Sequence, residues 1–190
     1  MGNKIIENKT YSKIDFEKEE IQQGEFENCK FINCNFSELN LSNFIFLECN
    51  FTNCNFSNTK INNTSFRNVE FKNCKLLGID FSECNSFLLS MQFNESQLNL
   101  SSFYNLDLRG TLFMDCSLNE VDFTKTNLTG SFFDNCDLTG AIFTNTNLGN
   151  VDFSSSFNYS INPETNRLQK TKFSSEGVLG LLDKYDIIIK

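Results

Sequence analysis

The chain has 190 residues, a formal net charge of -8, no His, no Trp and 22 Phe. This length is typical of a single domain, and an acidic chain without a basic segment is not expected to bind nucleic acid directly. No secretory signal and no stretch of about 18 apolar residues is evident, so we expect a cytoplasmic protein without a membrane span.

Residues 1–15 form the first predicted element. They are mostly polar and charged, and they precede a long repeat. Because the end of a stack of β-strands exposes unpaired backbone groups, such an end needs a cap. We therefore predict that residues 1–15 form an N-terminal cap, either irregular or strand-like.

Residues 16–153 carry a strict five-residue period. Every fifth residue is Phe, Leu or Ile from Phe16 to Phe81 and again from Leu88 to Phe153, and all but five of the 22 phenylalanines lie on these positions. Five residues of an α-helix turn by about 500°, which scatters the side chains, and an odd spacing on a strand changes face at each step. A period that suits neither element predicts a repeat architecture in which short units stack along one axis.

Each unit has two inward and three outward positions. Two residues before the large hydrophobe lies a smaller side chain, such as Cys29, Thr64 or Val121, and the other three positions are mostly polar. One large and one small inward side chain per unit allow successive layers to fill an interior without voids.

This pattern resembles the A-(D/N)-(L/F)-x-x unit of the pentapeptide-repeat family, as in CDLTG at 136–140 and AIFTN at 141–145. The resemblance implies an all-β fold, a right-handed quadrilateral β-helix with four units in each coil. Residues twenty apart should then stack directly on one another.

The segment 82–87 interrupts the repeat, because the spacing from Phe81 to Leu88 is seven residues instead of five. This two-residue slip predicts a bulge or short protrusion at one corner. A tolerated insertion facing solvent and a protrusion that contacts a partner are both compatible with it.

Residues 154–190 are predicted to form a C-terminal cap. Asn162 and Pro163 indicate a turn, Ser174 is a candidate N-cap of a short α-helix, and residues 187–189 are predicted to form a final strand. The segment 161–167 resembles the ending of pentapeptide proteins of the Qnr/MfpA and microcin-immunity type, in which a C-terminal helix and strand cap the rod and join two rods. The resemblance implies a homodimer through the C-terminus, and the alternative is a cap of a monomer. The expected interface residues are Val178, Leu179, Leu182, Ile187, Ile188 and Ile189.

Eight cysteines could indicate a metal site or disulfides, since four thiolates such as those of Cys29, Cys34, Cys49 and Cys54 suit zinc. Seven of the eight, however, occupy the small inward position, where Ser, Thr, Val and Ala also occur, and a free Cys packs as a small hydrophobe. We therefore expect packing residues and no metal or cofactor. The chain also lacks His, a nucleophile with an evident base and a Gly-rich phosphate loop, so no enzymatic activity is predicted.

Negative charge is concentrated in the second half of the repeat. Residues 77–153 contain ten acidic side chains and only Arg109 and Lys125 as bases, whereas the flanking segments are nearly neutral. A rigid rod with an anionic band presents to a basic groove a potential like that of a nucleic-acid duplex. The alternative is that outward acids only keep the rod soluble. The candidate partner-binding residues are Asp107, Asp115, Glu120, Asp122, Asp134, Asp137 and Asp152.

The resemblance to the Qnr/MfpA type implies a DNA mimic that binds DNA gyrase or topoisomerase IV and protects the enzyme from quinolones or peptide toxins. The chain departs from the loop-bearing Qnr proteins because only the 82–87 slip interrupts its coils, and this departure bears on protection more than on the fold. The alternative function is a structural or adaptor rod with an unrelated protein partner, for which the outward-facing Ile45 and Leu47 are candidate contacts.

Overall fold

In the computed structural model, which describes residues 4–185 and 187–188, the chain winds as a parallel β-solenoid. Its strands are β1 (Ile5–Glu7), β2 (Thr10–Ser12), β3 (Glu25–Glu27), β4 (Lys30–Ile32), β5 (Ile45–Leu47), β6 (Asn50–Thr52), β7 (Ser65–Arg67), β8 (Val69–Lys72), β9 (Met91–Asn94), β10 (Leu112–Met114) and β11 (Phe132–Asp134). Helical structure in the described part of the chain is limited to three 3-10 segments, Phe81–Glu83, Gly177–Leu181 and Asp183–Tyr185. None of these described segments has the length and apolar character needed to cross a membrane.

Each strand pairs in parallel with the strand one coil away. Phe31 lies opposite Phe51, and Phe51 lies opposite Phe71, so the register is twenty residues. The strands β2-β4-β6-β8-β9-β10-β11 form a seven-stranded sheet, here called face 1, and β1-β3-β5-β7 form a four-stranded sheet, called face 4. Faces 2 and 3 follow face 1 in chain order and are joined by single parallel bridges, such as Asn35 with Asn55 and Asn40 with Lys60. The four-sided all-β coil implied by the family resemblance is confirmed.

The corners between faces require a left-handed backbone. Asn53, Asn58 and Asn63 have φ angles of 55°, 56° and 55°. Asn and Gly adopt this conformation with less strain than other residues, which explains why one outward position of the unit is rich in Asn. The corner side chains also stack, since the Nδ2 of Asn73 donates to the Oδ1 of Asn53 at 2.7 Å.

The interior consists of stacked aromatic columns. Behind face 1 the ring of Phe113 lies 5.2 Å from that of Phe93 and 4.7 Å from that of Phe133, nearly parallel to both. Rings behind opposite faces meet edge to face, as for Phe103 behind face 3 and Phe113 behind face 1, at 6.1 Å and 81°. Both arrangements suit the aromatic quadrupole, and burial of each ring contributes roughly 1.5–3 kcal/mol before conformational entropy is subtracted.

The cysteines are free and buried, all eight of them. In the small inward position the Sγ of Cys54 donates to the carbonyl oxygen of Phe31 at 3.3 Å, and the Oγ1 of Thr126 donates to that of Phe103 at 2.7 Å. Cys, Ser and Thr therefore interchange there because each fills a small volume and donates one hydrogen bond. Burial raises the pKa of Cys49 to about 12, so this thiol stays protonated at neutral pH.

The interruption of the repeat overlaps the end of the predicted segment 82–87 and extends beyond it. Asn85 still pairs with Ser65, twenty residues earlier, whereas Met91 pairs with Val69, twenty-two residues earlier. The two extra residues therefore lie within 86–90. They protrude from the coil, because each side of the coil accommodates five residues. Leu88, expected to face inward, is 64% exposed with a φ of 57°.

The coil begins earlier than predicted. The strands β1 and β2 pair with β3 and β4, so most of the segment 1–15 is the first coil rather than a separate cap. Ile6 and Tyr11 occupy inward positions but remain half-buried, because only one side of this coil is covered by another.

The coil also ends later than predicted. Arg167 pairs with Asn147 and Lys172 with Asp152, and the ring of Phe173 stacks on that of Phe153 at 5.8 Å. The predicted end at Phe153 is therefore too early. The sequence does not reveal this last coil, because the segment between Phe153 and Phe173 does not carry a large hydrophobe at every fifth position.

After Phe173 the predicted α-helix is wrong, since the chain forms two short 3-10 segments instead. The Oγ of Ser174 accepts from the N–H of Gly177 at 2.9 Å, as expected of an N-cap. A Cβ on Gly177 or Gly180 would overlap atoms of Tyr159, and residues three apart lie on one side of a 3-10 turn. This geometry lets both glycines pack against Tyr159.

The predicted final strand is not formed at Ile187 and Ile188. Ile189, the third residue of that prediction, lies outside the described residues. The described end of the chain therefore caps the rod without adding a strand to it.

Candidate functional site

The seven acids predicted to bind a partner are distributed over all four faces of the coil. Four of them adjoin face 2, and three lie apart. The four, here called the acidic cluster, are Asp115, Glu120, Asp134 and Asp137, and the three are Asp107, Asp122 and Asp152.

Backbone geometry gathers the acidic cluster around face 2. Asp137 lies on face 2 itself, in a column of bridges with Ser117. Asp115 and Glu120, with φ angles of 51° and 57°, occupy the two corners that border this face. Asp134 is the last residue of β11 and adjoins the Asp115 corner from face 1. From residue 95 to residue 140, face 2 and its corners contain no Lys or Arg.

Neutral donors hold three members of the acidic cluster in place. The Nδ2 of Asn135 donates to the Oδ1 of Asp115 at 2.7 Å. The Oγ of Ser155 donates to the Oδ1 of Asp134 at 2.7 Å. Such bonds orient the carboxylates without neutralising them, so their charge remains available to a basic partner.

Asp137 shows how the site keeps its charge. Partial burial on its own would raise its pKa, but hydrogen bonds from Thr139 and Asn158 outweigh that effect and hold the pKa below its usual value. The Nδ2 of Asn158 donates to the Oδ1 of Asp137 at 2.9 Å. Asp137 is therefore ionised throughout the physiological pH range.

The three remaining acids are separated from the cluster, and two of them are paired with cations. Asp107, on face 4, forms an ion pair with Arg109 at 2.8 Å. Asp152, on face 1, forms one with Lys172 at 3.0 Å. Asp122, on face 3, accepts from the backbone N–H of Thr124. The seven acids therefore divide into the acidic cluster at face 2 and three separate positions, and their role in partner binding stays a prediction.

The C-terminal end presents an apolar surface. Val178, Leu179, Ile187 and Ile188 are exposed, and Leu182 is half-buried. These residues occupy the end of the rod, where the sequence predicted a dimer interface.

The protrusion at 86–90 and the residues Ile45 and Leu47 lie on the side of face 4. Phe87 is exposed, with the guanidinium of Arg67 5.5 Å from its ring centroid, while Ile45 and Leu47 are half-buried on the outside of β5. A shallow pocket of about 410 Å³ adjoins Leu88. The protrusion is thus both an insertion in the coil and an exposed apolar point.

Sequence reasoning missed one feature of face 1. Leu112, Met114 and Phe132 all point outward, because Phe113 and Phe133 fill the inward positions of the same strands. The signal was present in the sequence as apolar residues at positions that are polar in most units.

The regular five-residue unit, the twenty-residue register and the four faces define a parallel β-solenoid that displays side chains on a rigid rod. A family model described as pentapeptide repeat region matches residues 24–99, and one described as pentapeptide repeats (8 copies) matches residues 116–154. Together they cover more than half of the chain, which belongs to the pentapeptide-repeat proteins. No curated protein sequence matches it significantly.

One solved structure supports the same fold, and two others are similar at lower TM-scores. A trypsin-treated variant of QnrB1, described as a plasmid-mediated fluoroquinolone resistance protein, is 21% identical, with a TM-score of 0.57 over 100% of this chain and 92% of that one. Full-length QnrB1 is 18% identical, covering 97% of this chain and 100% of that one at a TM-score of 0.41. HetL of the cyanobacterium Nostoc, a pentapeptide repeat protein involved in regulating heterocyst differentiation, is 12% identical, covering 90% and 86% at a TM-score of 0.41.

Proposed function

We propose that this chain is a DNA-mimicking binding protein whose partner is a type II topoisomerase, DNA gyrase or topoisomerase IV, and which protects that enzyme from quinolones or peptide toxins. The proposal is supported chiefly by the acidic cluster, four carboxylates around one face of a rigid rod with no base among them. The fold shared with a QnrB1 variant is consistent with this role.

The acidic cluster suits a basic groove for a physical reason. The rigid backbone places these four carboxylates on two neighbouring coils about 4.8 Å apart, so little conformational entropy is lost when a groove lined with Lys and Arg binds them. Neutral donors orient the carboxylates, and their charges would attract and steer the basic partner. The role is one of binding rather than catalysis, and it requires a cytoplasmic location, where buried free thiols such as these stay reduced.

The direct test is gyrase supercoiling with the purified protein, with and without a quinolone. We expect the protein to inhibit supercoiling and to raise the quinolone concentration that blocks the enzyme. If neither activity changes at any protein concentration, the topoisomerase role is wrong. The adaptor rod, with Ile45 and Leu47 as candidate contacts, would then be the preferred function.

We also propose that two rods join through their C-terminal ends. Exchange of Val178 and Leu179 for Asp should convert a dimer into a monomer, because two exposed apolar side chains would be replaced by charges facing their own copies. Light scattering measures the change. The matched control is Leu100→Asp, at an exposed corner far from this end. A wild-type protein that is already monomeric, or a dimer unaffected by the double exchange, would contradict the interface.

A further inference from the structure

We propose that an apolar shelf on face 1, formed by Leu112, Met114 and Phe132, binds an amphipathic basic segment of a partner protein. The apolar side chains of that segment lie on the shelf, and its Lys or Arg side chains lie beside Asp115 and Asp134. The inference concerns face 1 and does not require a topoisomerase partner.

The shelf is continuous across two strands. Leu112 of β10 lies directly opposite Phe132 of β11, and Met114 follows Leu112 on the outer side of the same strand. Phe132 is 38% exposed. The positions one and three coils earlier are polar, namely Gln92, Asn94, Asn50 and Thr52. Apolar side chains here add nothing to the interior, so their contribution is to the surface.

One edge of the shelf is open. Gly110 and Gly130 occupy the corner between face 4 and face 1, with φ angles of 71° and 70° and no atom within 4 Å of a built Cβ. The same corner holds Asn68 and Asn150 in other coils, so side chains fit there. The two glycines therefore leave room for a segment to enter across this edge.

The other edge of the shelf is acidic. Asp134 lies opposite Met114, and Asp115 follows Met114 at the corner. The nearest cations along face 1 are already paired, Lys72 with Glu95 at 3.8 Å and Lys172 with Asp152 at 3.0 Å. An apolar surface with an unneutralised anionic rim is complementary to a segment that carries both apolar and basic side chains.

This charge disfavours two other occupants. A second copy of the chain seated face to face would bring Asp115 and Asp134 of both copies together, and like charges across an interface repel. An anionic lipid surface would be repelled for the same reason. Mimicry of a nucleic-acid duplex depends on negative charge. The shelf adds an apolar contact, which the phosphate backbone of a duplex does not provide.

The probe is a labelled peptide of roughly 14 residues, about four helical turns, with Leu on one side and Lys on the other. Two matched peptides replace Leu by Ser or Lys by Glu. Fluorescence anisotropy at low and moderate salt should show that the Leu/Lys peptide binds most tightly and that the Leu/Glu peptide does not bind. Vesicles of anionic lipid and light scattering serve as checks for the other two occupants.

Two variants separate the apolar and acidic contributions. The first carries Leu112→Asn, Met114→Thr and Phe132→Gln, residue types found at the same face 1 positions in other coils, and should weaken binding of the Leu/Lys peptide about tenfold or more. The matched control is Ile142→Thr, an exposed apolar position on face 3, with little expected change. The second, Asp115→Asn with Asp134→Asn, keeps the oxygen acceptors but should weaken binding and reduce its salt dependence.

Circular dichroism during heating checks that every variant keeps the wild-type fold. The proposal is overturned if the triple variant binds the Leu/Lys peptide as tightly as the wild type, or if the Ser/Lys peptide binds equally well. Recruitment to vesicles, or a change of oligomeric state in the triple variant, would assign the shelf to a different occupant and also overturn it.

Discussion

A Phe113→Ala variant is expected to lose about 3–5 kcal/mol of its free energy of unfolding, the range typical of large buried aromatic residues. The ring of Phe113 has no exposed surface and is stacked between those of Phe93 and Phe133 at 5.2 and 4.7 Å. Its removal leaves a cavity that the neighbouring coils cannot close, because parallel backbone bonds fix their spacing. Denaturant unfolding followed by circular dichroism measures the loss.

The loss should also be local in origin. In a stack of coils each unit contacts mainly its neighbours, so a gap at Phe113 weakens the coupling between the two halves of the rod. Amide exchange should accelerate first around β9, β10 and β11. The matched control is Phe132→Ala, the same exchange at an outward position, for which a loss below about 1 kcal/mol is expected. Equal losses for the two variants would contradict the assignment of inward and outward positions.

Neutralising the acidic cluster is the second exchange with a large expected effect. A variant with Asp115→Asn, Glu120→Gln, Asp134→Asn and Asp137→Asn should need about tenfold more protein, or more, to inhibit gyrase supercoiling. The amide oxygens can still accept the bonds from Asn135, Ser155 and Asn158, so the fold should be retained. Inhibition by the wild type should also decline with added salt more steeply than inhibition by the variant.

The control removes charge from elsewhere on the rod. Asp107→Asn with Asp152→Asn deletes two carboxylates that are already paired with Arg109 and Lys172, and it should leave inhibition within about twofold, because paired charges contribute little to the outer field. If this control matches the quadruple variant, overall charge rather than face 2 determines binding. If the wild type inhibits and the quadruple variant inhibits equally, the acidic cluster is not the contact.

The coil itself was predictable because its period is local. A large hydrophobe at every fifth residue, with a smaller one two residues earlier, predicts short units that stack along one axis. The family resemblance implies four units in each coil, and Phe31, Phe51 and Phe71 stack at that twenty-residue spacing. The Asn-rich corner position follows from backbone sterics alone. The cysteines could be assigned to packing from the sequence, because Ser and Thr occupy the same small inward position in other units.

The interruptions and ends of the coil were harder to predict because hydrophobicity alone does not fix register. Leu occurs at many inward positions, yet Leu88 lies at an exposed corner. Its neighbour Leu89 packs against the core instead. At the C-terminus Phe173 rejoins a column after a segment that breaks the period. Gly177 and Gly180 shape the last turns only through contact with Tyr159, which is a tertiary effect.

The sequence by itself determined the period, the inward and outward positions, and the excess of acid in the second half of the repeat, since each depends on residues close together along the chain. Only the tertiary structure decided which acids share a face. Residues such as Asp107 and Asp137 look alike in sequence, but the winding of the coil places them on different sides, one beside a cation and one in the acidic cluster. The same winding sets Leu112 opposite Phe132 and Asp134 opposite Met114, because contact between coils joins residues twenty positions apart.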